Sequence, residues 1–301
     1  MNSPSYTETT FAFDCEGESL AAVLHLPIVP RDVGVVIVVG GPQYRVGSHR
    51  QFLLLARALA AHDYAVLRFD YRGLGDSGGE LRGFEFANED IGAALDEMQR
   101  RVPVIRRFVL WGLCDAATAA SFYAPRDSRV AGLVLLNPWI RSEATLARSL
   151  LFHYYRDRLL DVNAWRKLLA NPTAIKKALS SLKRIVGTAF GKDVADQSMQ
   201  PEVTVVTTDA GKKGPLLPRF TAALTAHAKP ILLILSGADI TANEFVEGMR
   251  ATRRLHRRLQ AKNVTQRNLA TADHTFSRAQ WRDHVADWTR EWLDREFSKS
   301  R

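Results

Sequence analysis

Val109-Leu110-Trp111-Gly112-Leu113-Cys114-Asp115-Ala116-Ala117 decides the fold. An apolar run ends at a glycine, and a run of small helix-forming residues begins at once. The chain therefore passes from a buried strand through a sharp turn straight into a helix. That is the setting of a nucleophile elbow, G-x-S-x-G, in which a strained turn holds the nucleophile above the end of a sheet. Here Cys114 takes the place of serine and Ala116 that of the last glycine. Small neighbours are required because the helix packs closely on the strand. The helix N-terminus directs partial positive charge at Cys114, which favours thiolate. A free cysteine more commonly packs as a small hydrophobe, and only the strand-turn-helix setting argues for chemistry.

On both sides of the elbow, short apolar runs alternate with longer amphipathic stretches, the pattern of a mostly parallel sheet flanked by helices. Residues 10–14 and 20–26 read as an opening hairpin. Val35 to Val39 reads as a strand buried on both faces. A helix over Gln51 to Ala61, a strand over Val66 to Asp70 and a helix over Glu89 to Arg101 with Asn88 as its N-cap follow. Phe108 to Trp111, a helix from Asp115 to Tyr123, and Gly132 to Leu136 complete the first half. After Asn137-Pro138 the alternation gives way to irregular helical stretches with Gly and Pro punctuation. It resumes with Ile231 to Leu235, a helix around Ala242 to Gln260, a strand over Val264 to Leu269 and a closing helix from Ala279 to Phe297. Residues 1–137 and 230–301 thus form one α/β core, and residues 138–229 a helical insertion.

The chain has 301 residues, 46% apolar and 24% charged, which are globular proportions with ample material for a core. Its net charge of +9 is distributed unevenly. Residues 1–140 carry 13 basic and 16 acidic side chains, residues 141–229 carry 15 and 7, and residues 230–301 carry 13 and 9. The insertion supplies most of the excess, and no nucleic-acid-binding motif accompanies it. The two cysteines, Cys15 and Cys114, have neither disulfide nor metal-ligand spacing, so no metal or cofactor is expected, and a reducing compartment fits. No apolar run approaches the length of a membrane span, and the opening residues lack a signal-peptide pattern. The expected location is the cytoplasm.

Arg68-Phe69-Asp70-Tyr71-Arg72-Gly73-Leu74-Gly75-Asp76-Ser77, together with the elbow and the Gly40-Gly41-Pro42 turn, resembles the α/β-hydrolase superfamily, whose members often carry a D-x-R-G-x-G-x-S loop after the fourth strand. The role of that loop there is architectural. The longer strings Gly40 to Arg50 (GGPQYRVGSHR), Trp111 to Asp115 (WGLCD), Leu136 to Trp139 (LNPW) and Ser236 to Thr241 (SGADIT) are similar to the type 1 exosortase A system-associated hydrolases, a bacterial family with a cysteine elbow. The similarity covers most of the core and is weak over residues 141–229. It implies a genomic association with exopolysaccharide and exosortase loci, and an insertion that forms a cap over the active site.

The resemblance also implies where the remaining machinery stands. Gly40-Gly41-Pro42-Gln43 takes the place of the oxyanion loop. Pro42 has no N–H, which leaves Gly41 or Gln43 as donor, and the H-G-G-P turns of the superfamily favour Gly41. The amide of Asp115 is the second donor. An acid and then a histidine should follow the nucleophile. Asp239, at the end of the strand after the insertion, is the expected acid. Glu244, one turn later, is the alternative, and an N-cap role is the other reading of Asp239. Of eight histidines, only His274 lies in the loop after the last strand, and it is the expected base. His49 lies near the oxyanion loop, where it can contact substrate.

Cys114, His274 and Asp239 in this order point to acyl chemistry on a small-molecule ester or thioester, by hydrolysis or acyl transfer. Thiolate is itself a good leaving group, which favours activated acyl groups over amides. Trp139, Phe152, Tyr154, Tyr155 and Trp165 form either an acyl pocket or the insertion's own core. The insertion's basic side chains, among them Arg156, Arg158, Arg166, Lys167, Lys176, Lys177, Lys183 and Arg184, suit an anionic substrate, although a charge run is also an ordinary solvated face. The competing expectation is a catalytically silent hydrolase-fold protein that holds an anionic ligand or partner with those charges.

Overall fold

Val33–Val38, the strand β3, is apolar or glycine at every position and buried throughout because helices cover both its faces. A computed structural model describes residues 5–41, 43–141 and 214–297. In it the strands β1 (Tyr6–Cys15), β2 (Glu18–Pro27), β3, β4 (Ala65–Phe69), β5 (Arg107–Leu113), β6 (Val130–Leu136), β7 (Ile231–Ser236) and β8 (Val264–Leu269) form one sheet of order β1-β2-β4-β3-β5-β6-β7-β8. β1 and β2 pair antiparallel, as do β2 and β4, and every later pairing is parallel.

The helices are α1 (Gln51–Ala60), α2 (Asn88–Arg101), α3 (Asp115–Tyr123), α4 (Leu216–Ala226), α5 (Ile240–Ala251), α6 (Arg253–Leu259) and α7 (Ala279–Phe297). Alternation along the strands divides the core in two. Val33, Val35 and Ile37 pack with Phe52, Leu55 and Leu59 of α1 and Trp281, Val285 and Trp292 of α7. Val36 and Val38 pack with Ile91, Leu95 and Met98 of α2 and the alanines of α3. Phe220 and Leu224 of α4 belong to that second cluster, so the end of the segment read as insertion is built into the core. Residues 142–213, which hold Phe152, Tyr154, Tyr155, Trp165 and the basic side chains from Arg156 to Arg184, lie outside the described residues.

Three local expectations are corrected. The opening hairpin runs from Tyr6 to Pro27, longer than the apolar pattern suggests, because its outer strand pairs through exposed polar positions such as Thr7, Glu8 and Thr9. Asn88 is the first residue of α2 and not its cap; Ala87 precedes the helix and gives no side-chain hydrogen bond. The stretch from Ala242 to Gln260 is two helices, broken by the extended backbone of Thr252, which re-aims α6 so that Leu255 and Leu259 bury.

Candidate active site

The elbow begins with a steric fact. A Cβ on Gly112 would lie 2.6 Å from the Ala116 carbonyl carbon and 2.7 Å from the Ala117 nitrogen, so only glycine lets α3 start this close to β5. Cys114, one residue before α3, has φ 63° and ψ −124°, a conformation that L residues rarely adopt and that lifts the side chain off the sheet end. Backbone bonds from Cys114 N–H to Leu136 O (2.8 Å) and from Trp139 N–H to Cys114 O (3.1 Å) hold it there. Ala116 replaces glycine without conflict because it faces Gly40, whose own Cβ would come within 2.9 Å of the Ala116 methyl.

His274 stands on the loop after β8. That loop is fastened to the loop after β7 by Gly237 N–H to Leu269 O (2.9 Å) and Ala238 N–H to Ala272 O (3.0 Å), and the buried Phe276 anchors its far end. The His274 Nδ1 lies 2.8 Å from Asp239 Oδ2. Asp239 also accepts from the Thr241 and Ala242 amides, each at 3.1 Å, as the N-cap of α5. The capping and acid readings of Asp239 are therefore compatible, since one carboxylate meets both geometries. Glu244 is buried elsewhere and receives Arg141 Nε at 3.1 and 3.2 Å, with that guanidinium stacked over Trp139. Asn137 ties the three loops together: its Nδ2 donates to Ser236 Oγ (2.8 Å) and His274 O (3.1 Å), and its Oδ1 accepts from Ser236 N–H (2.9 Å). That role leaves no local signal beyond an Asn-Pro at the end of a strand.

Among the described residues no hydrogen bond joins Cys114 Sγ to His274, although catalytic contacts in resting enzymes are often long and tighten on binding. Burial pushes the Cys114 thiol well up, and the Asp115 and Asp239 carboxylates push it further; the Asp115 amide and Arg141 offset only part of this. Burial first, and then the Asp115 carboxylate at that same helix N-terminus, thus work against the thiolate that the helix dipole favours.

The expected oxyanion role belongs to the Asp115 backbone amide, which donates toward Cys114, while the side chain makes contacts of its own. Its Oδ2 accepts from the Gly41 N–H (2.9 Å) and its Oδ1 from the Ala116 N–H (2.9 Å). Burial raises its pKa, while these amides and His274 pull the other way. Gly41 has φ 61°, and its N–H, the expected oxyanion donor, is engaged by a side chain. The rest of the GGPQYR loop is held by Arg45, whose backbone N–H donates to the buried Asp70 at 2.6 Å and whose guanidinium pairs with Asp70 and Asp76. Arg72 in turn donates to buried Asp90 at 2.5 Å, so Asp70 and Arg72 brace loops as expected of an architectural motif. Against the upward push of burial, Asp273 is held below the usual carboxylate range by the Ser277 hydroxyl and amide and the Thr275 amide, with a smaller contribution from His49, whose own φ is 53°. Among the described residues no cluster of three or more His, Cys, Asp or Glu is arranged to hold a metal ion, and no helix is long and apolar enough to cross a membrane.

Comparison with known proteins agrees with this architecture. The family model described as "Serine aminopeptidase, S33" matches residues 32–278. An esterase of Pyrococcus furiosus superposes with a TM-score of 0.63 at 18% identity, covering 97% of this chain and 92% of that one. An alpha/beta hydrolase from a Penicillium species gives 0.60 at 15% identity, covering 97% and 99%. A dienelactone hydrolase from Anabaena variabilis gives 0.58 at 13% identity, again covering 97% and 99%. No curated protein matches the chain by sequence. The fold is that of the α/β hydrolases.

Proposed function

This chain belongs to the Hydrolase_4 family (serine aminopeptidase, S33), and from that premise we propose that it is an acyl hydrolase acting on esters or thioesters with Cys114 as nucleophile, His274 as base and Asp239 as orienting acid. The observation that carries the reading is the 2.8 Å contact between His274 and Asp239 on loops fastened beside a strained Cys114. Asp239 holds Nδ1 protonated, which leaves Nε2 free to accept a proton. With burial pushing the Cys114 thiol up, its proton passes to His274 as sulfur attacks the acyl carbon. The imidazolium returns that proton to the leaving alcohol or thiol, and a water activated by the same base releases the acid. The similarity of the GGPQYR and GLCD strings to exosortase-associated hydrolases supports a setting in bacterial exopolysaccharide production. The two unpaired thiols support a cytoplasmic one.

One observation favours the silent-fold alternative: the Gly41 amide is already occupied by Asp115. Short-chain p-nitrophenyl esters and acyl thioesters decide between them. Turnover lost in both Cys114→Ala and His274→Ala is expected. Turnover unchanged in Cys114→Ala and Cys114→Ser would falsify the catalytic reading, and anion binding that survives Cys114→Ala would then favour the binding protein.

A further inference from the structure

The contact between Asp115 and Gly41 has the fit of a built feature. A Cβ on Gly40 would fall 2.1 Å from Asp115 Oδ1, so the oxyanion loop carries glycine where the carboxylate presses against it. Gly41 N–H and Ala116 N–H then fix the two oxygens separately, at 2.9 Å each. An ionised carboxylate has about four acceptor positions, so each oxygen retains capacity for a further donor.

Consider an acyl carbon brought to Cys114 with its oxygen directed at the Gly41 amide. A plain alkanoyl group offers Asp115 nothing, and its developing oxyanion must compete with a fixed carboxylate for one N–H. An acyl group that carries its own carboxylate adds a second repulsion. A group with a hydroxyl or ammonium on the carbon next to the carbonyl behaves differently. That donor reaches Oδ2 from beside the carbonyl, replaces Gly41 N–H as its partner, and frees the amide to turn onto the oxyanion. We propose that Asp115 determines acyl specificity by selecting acyl groups that bear a hydrogen-bond donor on the α-carbon over plain and anionic ones. The inference rests on Cys114 being the nucleophile, and it assigns any negative charge on the substrate to the leaving-group side.

The step to measure is acylation alone. The Cys114 Sγ–acyl bond forms, the thioester's acyl–sulfur bond breaks, and the Cys114 proton travels through His274 to the departing thiol. N-acetylcysteamine thioesters of glycolic acid, glycine, propionic acid and malonic acid are mixed with the full-length protein, and acyl-Cys114 is followed by quenched intact-protein mass spectrometry. Propionyl has the size of glycoloyl without its donor, and the glycoloyl and glycyl arms separate hydroxyl from ammonium. In the unaltered protein at least one donor-bearing group should acylate about tenfold faster than propionyl or more, the lower end of the value of one hydrogen bond to a charged group. Asp115→Leu should remove that preference and speed propionyl. Asp115→Asn, which keeps shape and loses charge, should bring the preference for glycyl and for glycoloyl below tenfold, and it decides the matter where the Leu variant does not fold. A preference under tenfold in the unaltered protein, or one that survives both substitutions, overturns the proposal. Absence of acyl-Cys114 with all four thioesters, or the same adduct in Cys114→Ala, overturns the nucleophile assignment and this inference with it, a failure distinct from equal acylation by all four.

Discussion

Asp239 meets two demands at once, and substitution separates them. As N-cap it accepts from Thr241 and Ala242, and as the partner of His274 it stands 2.8 Å from Nδ1. Serine is also a good N-cap residue, but its short hydroxyl carries no charge to hold an imidazolium. Asp239→Ser should therefore keep α5 capped, with stability within ~0.5 kcal/mol of the unaltered protein, while Asp239→Ala loses the cap at about 1 kcal/mol. For a chain of this size that difference is roughly 2 °C in Tm. Both variants lose the orienting carboxylate, and kcat on an activated ester should fall ~10³-fold or more in each, in the range seen when a triad acid is neutralised. Glu244→Gln, which disturbs the Arg141 pair but leaves His274 its partner, should stay within about threefold of full activity, well short of a triad loss. Differential scanning fluorimetry and p-nitrophenyl acetate turnover on the four proteins give both numbers. Equal Tm for the Ser and Ala variants would refute the capping half. Activity retained in Asp239→Ser, or lost in Glu244→Gln, would refute the assignment of the acid.

Gly112→Ala forces a methyl against backbone atoms of α3, so it should cost about 1–3 kcal/mol in urea unfolding and, by moving Cys114, about 10²-fold in kcat/KM. Arg45→Met strands the buried Asp70 carboxylate and should cost about 3 kcal/mol by the same measurement, with part of the loss recovered when Asp70→Asn is added. His25 and His227 are buried, and burial, with Arg68 beside the first and Arg258 beside the second, lowers both from 6.5 to about 4. The unfolded chain then binds protons that the native state does not, so stability present above pH 6.5 is lost as pH falls toward 4, by up to about 3 kcal/mol for each histidine. Urea midpoints from pH 7 to pH 4 should show this slope, and His25→Asn, whose side chain does not titrate, should flatten it.

Position along the chain made the fold legible, because buried parallel strands are written as apolar runs and each is followed by a helix. The same regularity placed Cys114, Asp239 and His274 on loops after β5, β7 and β8, at one end of the sheet. What was not legible depends on contacts between distant segments. Gly41 arrives beside Asp115 from 74 positions away, and Arg45 reaches Asp70 across 25, so neither pairing leaves a local pattern. Asn137 joins residues 99 and 137 positions distant through one amide side chain. The break at Thr252 has no glycine or proline to announce it; it follows from where Leu255 and Leu259 must bury.

The greatest change concerns the nucleophile's charge. A cysteine at a helix N-terminus suggests a thiolate stabilised by the helix dipole, with catalysis beginning from an ion pair. In this chain the first helical residue is itself an aspartate whose carboxylate already receives the Ala116 amide at that N-terminus. The Ala116 amide at that N-terminus is given to Asp115, and burial first, then the Asp115 and Asp239 carboxylates, push the Cys114 thiol up. In the proposed mechanism that direction gives His274 the part of a general base during attack, as for a serine, and the acid that fixes its tautomer gains importance. Specificity shifts in the same direction. In the proposed mechanism, a carboxylate held by the Gly41 amide disfavours negative charge on the acyl side. The net value of +9 conceals an uneven distribution along the chain, 13 basic against 16 acidic side chains over residues 1–140 and 15 against 7 over residues 141–229.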